Sequence, residues 1–348
     1  MNGVEAALRF LGAPDAHARH AGAVPSVETI ETHMSWVFVA GAHVLKLKKP
    51  VRYPFLDFST PAAREGACRE EVRLNARLAP GVYHGLMALQ WRDGCFSLVP
   101  EAAADPRAAT LDWLVWMRRL PPEHMLDRKI VQAKVSAADI DALVRVLAEF
   151  YRGATRVCID ADAYVARFAH EQATNRTLLL QPGLQSDSVA ETLDRFDAAL
   201  LRHSGMLGAR ATQGRIVDGH GDLRPEHVCL LRPPVVIDCL EFNAALRQID
   251  PFDELAFLGL ECELAGTPWI GTWLIDGCSA ALKERPDRRL LALYTAYRAL
   301  LRARLALAHL LEPQPRTPER WQPLAQRYVA RARLALDACE ATPQGSIT

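Results

Sequence analysis

The 348-residue chain contains no Cys-x-x-Cys pair, although eight cysteines are spread along it at 68, 95, 158, 229, 239, 262, 278 and 339. Four of them, Cys68, Cys158, Cys229 and Cys239, stand among apolar or alternating residues, so the cysteines read as buried, reduced thiols of a cytosolic protein. Neither sign of charge is in excess: Lys and Arg number 41, and so do Asp and Glu. That balance excludes a chain-wide attraction to DNA, RNA or an anionic membrane as the basis of function. An uninterrupted apolar run is also missing. The longest apolar region, Leu290 to Leu311, is broken by Arg298, Arg302 and Arg304. It therefore reads as an amphipathic helix, with the arginines on a solvated face or lining a pocket for an anionic substrate, and not as a membrane span. The first residues, Met1 to Pro14, include Glu5 and lack the basic start and long apolar core of a signal peptide. No GxxxxGK[ST] phosphate loop occurs, no GxGxxG follows a strand, and no internal repeat or low-complexity tract is present.

What is present is an ordinary globular composition, half apolar and 24% charged, long enough for one large two-lobed domain or two ordinary ones. Between about Thr32 and Pro100 the pattern is strand-like. Ser35 to Ala40 is β-rich, Gly41-Ala42 is a turn and His43 to Lys48 alternates, which predicts a hairpin. Thr60-Pro61 supplies an N-cap and a first helical residue for a helix that runs through Arg69 to Leu78 and stops at Pro80-Gly81. Strands follow near Gly85 to Gln90, Phe96 to Pro100 and Leu114 to Leu120. Beyond Pro121-Pro122 the spacing is mostly helical, over 137–151, 161–180, 188–207, 290–311 and 319–339. A β patch from about Ile216 to Glu241 is the exception, and Thr342 to Thr348 reads as a loose tail. The plan is a sheet-rich part over 1–120 and a helical part over 121–348, with 114–120 as the strand between them.

The informative stretch is 218–243, DGHGDLRPEHVCLLRPPVVIDCLEFN. His220-Gly221-Asp222 is a polar loop in which glycine frees the backbone. Val228 to Leu231 and Val235 to Ile237 form a hydrophobic hairpin turned by Arg232-Pro233-Pro234, and Asp238 ends the returning strand. Such a hairpin brings residue 227 and residue 238 to one end. Asp222, His227 and Asp238 then offer oxygen and nitrogen donors around one point, suited to a divalent metal with one carboxylate left as a base. A hydrolase-type triad of His220, Asp222 and His227 would leave the pattern of the first 120 residues unexplained.

His220-Gly-Asp222, a ligand position five residues on, and Ile237-Asp238 resemble the catalytic and metal-binding loops of aminoglycoside phosphotransferase-like kinases, relatives of protein kinases in which His-Gly-Asp stands for His-Arg-Asp. Leu246 to Phe257 resembles the family's following helix, with Asp253 at its structural aspartate. Glu31 to Phe38 and Lys46 to Phe58 resemble a bacterial group usually described only as "aminoglycoside phosphotransferase family". Some of its members carry a further ATP-binding domain that this chain is too short to hold. The resemblance spans roughly residues 30 to 310.

It implies an α+β, two-lobed protein-kinase-like fold: a small antiparallel-sheet N-lobe with one helix, residues 1–120 with the hinge strand at 114–120, and a larger helical C-lobe, residues 121–348, that carries the catalytic and metal loops of 218–243. By the same resemblance Asp222 is the catalytic aspartate and Asp238 binds Mg²⁺ (Mn²⁺ as alternative) on the nucleotide phosphates. Lys46 neutralises the α/β-phosphates and pairs with a helix glutamate, Lys48 being the other candidate because alternation puts both lysines on one strand face. Glu71 is the expected partner, ahead of Glu70. Adenine meets backbone groups near Met117 to Arg119, with Val44, Leu45 or Ile237 as apolar contacts. His227 stands where the family usually has Asn. It ligates the metal, contacts phosphate, or marks a site with a single metal. Thr32 to Ser35 takes the place of a glycine-rich phosphate loop. Asp253 fixes the catalytic-loop backbone.

The expected activity is that of a cytoplasmic small-molecule kinase, transferring the γ-phosphate of ATP or GTP to a hydroxyl of a sugar, amino alcohol or nucleoside, with neither nucleic acid nor membrane as partner. The alternative is a non-catalytic pseudokinase that binds nucleotide or scaffolds a partner.

Overall fold

The computed structural model of the chain describes residues 3–22, 24–53, 56–181, 187–312 and 315–341. The expected tail, 342–348, lies outside them. The described chain divides into two compact units, Met1–Lys129 with Glu226–Leu246, and Ile130–Pro225 with Arg247–Thr348.

The first unit is built on a six-stranded antiparallel sheet. Its strands are β1 (Val27–Glu31), β2 (Ser35–Ala40), β3 (His43–Lys48), β4 (Tyr83–Arg92), β5 (Cys95–Pro100) and β6 (Ala109–Arg118), in the order β1-β2-β3-β6-β4-β5. The β2–β3 hairpin has the expected register, Ala40 opposite His43 and Val37 opposite Lys46, and Gly41 takes the positive φ of 58° that its two-residue turn requires. Alternation along β3 divides its side chains. Leu45 and Leu47 enter an apolar cluster with Phe38, Met87, Leu89 and Leu114, covered by Ala7 and Leu11 of α1 (Gly3–Leu11). Each large side chain buried there contributes about 1.5–3 kcal/mol. Lys46 and Lys48 point to the other face, against α2 (Pro61–Asn75). Thr60 caps α2 through Ala63 N–H at 3.2 Å with Pro61 in the first turn, and its buried stripe is Arg64, Cys68, Glu71, Leu74 and Asn75. The first unit thus carries α1 beside the expected helix α2.

Residues 226–246 also belong to the first unit, whereas the sequence reading puts them, and 121–129, in the second. The reason is their bonding. The hairpin Val228–Cys229/Val235–Val236 packs Cys229 and Val235 on Ala79 and Val82. Val236 N–H donates to Leu78 O at 3.0 Å, Cys239 N–H to Asn75 Oδ1 at 2.9 Å and Leu230 N–H to His124 O at 2.8 Å.

The second unit is helical: α3 (Ala137–Gly153), α4 (Ala161–Leu179), α5 (Asp187–Thr212), α6 (Pro251–Leu264), α7 (Pro268–Leu282), α8 (Arg288–Ala308) and α9 (Pro318–Glu340). Ser136 and Asp139 form a capping box on α3, and Asp160, Asp250 and Asp287 cap α4, α6 and α8. A short pairing of Val217–Asp218 with Gln248–Ile249 sets the polar loop that follows residue 218. Helix α7 lies outside the helices that the spacing predicts. The arginines of α8 do not form a solvated face: Arg298 is buried on Asp253, Arg302 pairs with Glu261 at 2.9 Å and Arg304 with Glu171 at 2.7 Å. All eight cysteines are free, but Cys158, like Cys95, is exposed; it lies between the Arg156–Val217 bridge and α4. Burial pushes the thiols of Cys68 and Cys278 up to about 12, which leaves them unreactive.

Candidate active site

Within the first unit, five charged side chains form a continuous chain of ion pairs, a ladder across β3 and α2. Glu71 of α2 accepts Lys46 Nζ on Oε1 at 3.0 Å and Lys48 Nζ on Oε2 at 2.7 Å. Each lysine makes a second ion pair with the segment after the short hairpin: Lys46 with Asp238 Oδ1 at 2.7 Å, Lys48 with Glu241. The two lysines lie two residues apart on β3 and so reach the same side, and Glu71 lies on the buried stripe of α2. Glu70, one residue earlier, turns outward and pairs with Arg73 at 2.6 Å. Burial opposes the charge on Lys46, but Asp238 and Glu71 outweigh it and raise its pKa well above the usual lysine range. Burial likewise opposes ionisation of Glu71, and the two lysines hold its carboxyl below the usual range.

Asp238 adopts a left-handed backbone, φ 63°, a conformation that Asp tolerates better than most residues. Its N–H donates to Tyr83 Oη at 3.3 Å. Burial works against its charge too, yet Lys46 and then His227 keep the carboxyl far below the ordinary aspartate range. Its side chain is 44% exposed, while those of Lys48 and Glu241 are 1% and 8% exposed. The hairpin brings residues 227 and 238 to one end as the spacing predicts: Ile237 N–H donates to His227 O at 2.9 Å, and His227 Nε2 lies 3.6 Å from Asp238 Oδ2. An imidazole and an ionised carboxylate at that separation can bind one divalent cation between them, so the donor set fits such an ion. Glu241 is turned to Lys48 and is not placed as a further carboxylate beside Asp238.

The other first-unit positions fall on β6 and the strands around it. Met117 sits between Val44 and Tyr83 in the ladder and packs beside Cys68, Leu86 and Val115. Arg119 is exposed, and its N–H donates to Ala42 O at 2.8 Å. Leu45, one of the apolar candidates for adenine, lies on the opposite sheet face from Lys46, in the cluster under α1. Thr32 to Ser35 closes the β1–β2 connection, Ser35 N–H donating to Thr32 Oγ1 at 3.0 Å.

In the second unit, the loop of His220, Gly221 and Asp222 is held from below by α6. The carboxylate of Glu254 accepts His220 N–H at 2.8 Å and Gly221 N–H, and takes the hydroxyl of Tyr151 at 2.9 Å on its other oxygen. Gly219 lies so close that a Cβ there would stand 2.6 Å from Ile249 and 2.8 Å from Glu254 Oε1. Glu254, not Asp253, therefore fixes this loop; Asp253 is engaged by Arg298 through two bonds of 2.7 Å. Helix α6 is buried on all sides from Pro251 to Leu260, so its sequence has no polar face from which to choose between the two acids. Asp222, half-buried, accepts Arg224 Nε at 3.0 Å.

No family model matches the chain. Uncharacterised proteins of Mycobacterium bovis and Mycobacterium tuberculosis are 30% identical to it over 296 residues, 84% of this chain; the chain spans only 57% of the length of these relatives. Among solved structures, a choline/ethanolamine kinase family protein from Mesorhizobium loti superposes with a TM-score of 0.53 at 15% identity, covering 99% of this chain and 96% of that one. The choline kinase LicA from Streptococcus pneumoniae gives 0.53 at 12% identity over 90% and 94%. The ADP-bound aminoglycoside phosphotransferase APH(2'')-Ib gives 0.51 at 13% identity over 97% and 99%. The chain has the α+β, protein-kinase-like fold that aminoglycoside phosphotransferases share with choline and ethanolamine kinases. Among the described residues no helix is long and apolar enough to cross a membrane.

Proposed function

We propose that the protein is a small-molecule kinase that transfers the γ-phosphate of ATP, or of GTP, to a hydroxyl of a small substrate. The observation that carries this reading is Lys46 held between Glu71 at 3.0 Å and Asp238 at 2.7 Å, a cation kept charged and aligned beside an ionised, part-exposed carboxylate. Phosphoryl transfer asks mainly for positioning and charge neutralisation, and this arrangement supplies both.

In this reading Lys46 binds the α/β-phosphates and Glu71 orients it, while Asp238 and His227 would hold Mg²⁺ or Mn²⁺. Bound there, the cation would supply neutralisation of the nucleotide's phosphate charge. Asp222 takes the proton of the acceptor hydroxyl as its oxygen bonds to the γ-phosphorus and the bond to the β-phosphate oxygen breaks, releasing the nucleoside diphosphate. Adenine lies against Met117 to Arg119, and since the Arg119 amide already serves Ala42, recognition falls to other backbone groups of that stretch. The Thr32–Ser35 turn covers the phosphates. The boundary between nucleotide-binding and substrate-binding parts falls near the end of β6. A cytoplasmic location suits a consumer of ATP. The ADP bound to APH(2'')-Ib and the AMP bound to LicA support a nucleotide as ligand. The acceptor stays open among sugars, amino alcohols and nucleosides.

The test is an ATP-depletion screen over hydroxylated metabolites with Mg²⁺ or Mn²⁺, the wild type against Asp222→Asn. Loss of ~10²–10⁴-fold in turnover is expected in the variant. Equal activity of the two proteins would remove Asp222 from its role. A second reading, nucleotide binding without transfer, is favoured by His227 at the family's usual Asn position. It predicts stabilisation of the protein by ATP with metal and no product with any acceptor.

A further inference from the structure

The ladder has two rungs of unequal character. The outer rung, Lys46–Asp238, is accessible, with side chains 16% and 44% exposed. The inner rung, Lys48–Glu241, is closed, at 1% and 8%. Glu71 joins the two through its separate oxygens and is itself 1% exposed. Lys48 also sits 5.1 Å above the Phe58 ring, which fences its ammonium on a further side. A nucleotide cannot reach Lys48 without breaking two buried ion pairs, so this lysine is not a second phosphate ligand. Lys46 and Asp238, by contrast, occupy each other. For Lys46 to serve phosphate and Asp238 a cation, their mutual bond must open. The Lys48–Glu241 pair would then still tie the residues after 237 to β3.

We propose that Lys48 and Glu241 are positioning residues, a permanent strut that keeps the 238–241 segment on β3 while Lys46 exchanges Asp238 for phosphate. The inference rests on the kinase reading above and adds to it a division of labour between two lysines of one strand. The strut acts through Asp238: Glu241 lies three positions after it, and because Asp238 takes a left-handed backbone, φ 63°, the direction of its carboxylate follows from how the two ends of the segment are anchored. One end is held by Cys239 N–H on Asn75 Oδ1 at 2.9 Å, the other by Glu241 on Lys48. Outer partners that orient a metal ligand in this way typically contribute ~10–100-fold to metal affinity.

The experiment titrates Mn²⁺ in the presence and absence of ATP, following free Mn²⁺ by electron paramagnetic resonance, and records melting temperature in parallel. Wild type, Lys48→Met, Glu241→Gln, Lys46→Met and Asp238→Asn are compared. Lys48→Met and Glu241→Gln are expected to weaken Mn²⁺ binding to the ATP complex by ~10-fold or more, with metal-free ATP affinity within ~2-fold of wild type. A fall in melting temperature with Mn²⁺ affinity unchanged means the pair is only structural and overturns the proposal. Should Lys48→Met fail to fold, Glu241→Gln, which keeps the side-chain shape, decides the matter alone. The kinase reading fails separately, and the strut with it, if the wild type binds no ATP with Mn²⁺ or if Lys46→Met and Asp238→Asn bind both as the wild type does.

Discussion

Glu254 receives the buried hydroxyl of Tyr151 at 2.9 Å, and with its other oxygen it carries the amides of His220 and Gly221. A single carboxylate thus sets the backbone that presents Asp222. Replacing Glu254 by Ala strands two buried amides and one hydroxyl, at about 1–3 kcal/mol for each unsatisfied group, so a total loss of about 3–5 kcal/mol is expected in urea denaturation. Tyr151→Phe removes only one bond to an acceptor that keeps two others, and about 1 kcal/mol is expected. Equal losses in the two variants would contradict this hierarchy.

The same carboxylate makes stability depend on pH. Burial pushes Glu254 up to about 7, against the pull of the Gly221 amide and the Tyr151 hydroxyl. The folded chain therefore holds this proton more tightly than the unfolded chain, where glutamate titrates near ~4.3. The contribution is complete below about pH 4.3 and is lost as pH rises through about 7, a change on the order of 3 kcal/mol. Unfolding free energy should fall between about pH 5 and about pH 8 in the wild type and fall less in Glu254→Gln. Parallel pH profiles would exclude Glu254 as the source.

Arg298 and Asp253 form a buried pair with side chains 9% and 3% exposed. Arg298→Ala leaves Asp253 without its cation in the interior, and a loss of about 3–5 kcal/mol is expected. The double change Arg298→Met with Asp253→Leu removes both charges and should cost less than the single one. A double-mutant cycle by chemical denaturation measures the difference, and additive losses would show that the two residues do not depend on each other.

His227 presents nitrogen beside the Asp238 carboxylate at 3.6 Å. In the kinase reading, His227→Asn exchanges this donor for an amide oxygen, a harder ligand that suits Mg²⁺ better. The ratio of Mn²⁺-supported to Mg²⁺-supported ATP turnover is expected to drop by ~10-fold. An unchanged ratio would place His227 outside the metal site.

Local signals settled much of the architecture. The hairpin at Gly41-Ala42, the Thr60-Pro61 helix start and the helix from 137 each depend on neighbouring residues alone, and each is found where the sequence places it. Alternation on β3 was enough to put Lys46 and Lys48 on one face. It was not enough to say which lysine stays accessible, because that depends on Glu71, Asp238 and Glu241 arriving from elements 23 to 193 residues away. The choice between Asp253 and Glu254 was hidden for a related reason: α6 is enclosed on every side, and periodicity carries no information when all faces are buried. Neither a solvated face nor an anion pocket, the two places the spacing offers for Arg298, Arg302 and Arg304, is realised, because their partners Asp253, Glu261 and Glu171 lie on other helices.

By itself, then, the sequence determined the β2–β3 hairpin, the start of α2, most of the helices of the second unit and the hairpin that brings residues 227 and 238 to one end, since short-range sterics, capping and turn residues act over a few positions. The tertiary structure alone decided that residues 226–246 fold onto the first unit, that Lys48 is sealed while Lys46 stays partly exposed, and that Glu254 carries the loop. Burial and ion pairing are properties of what the rest of the chain brings alongside, and no local pattern encodes them.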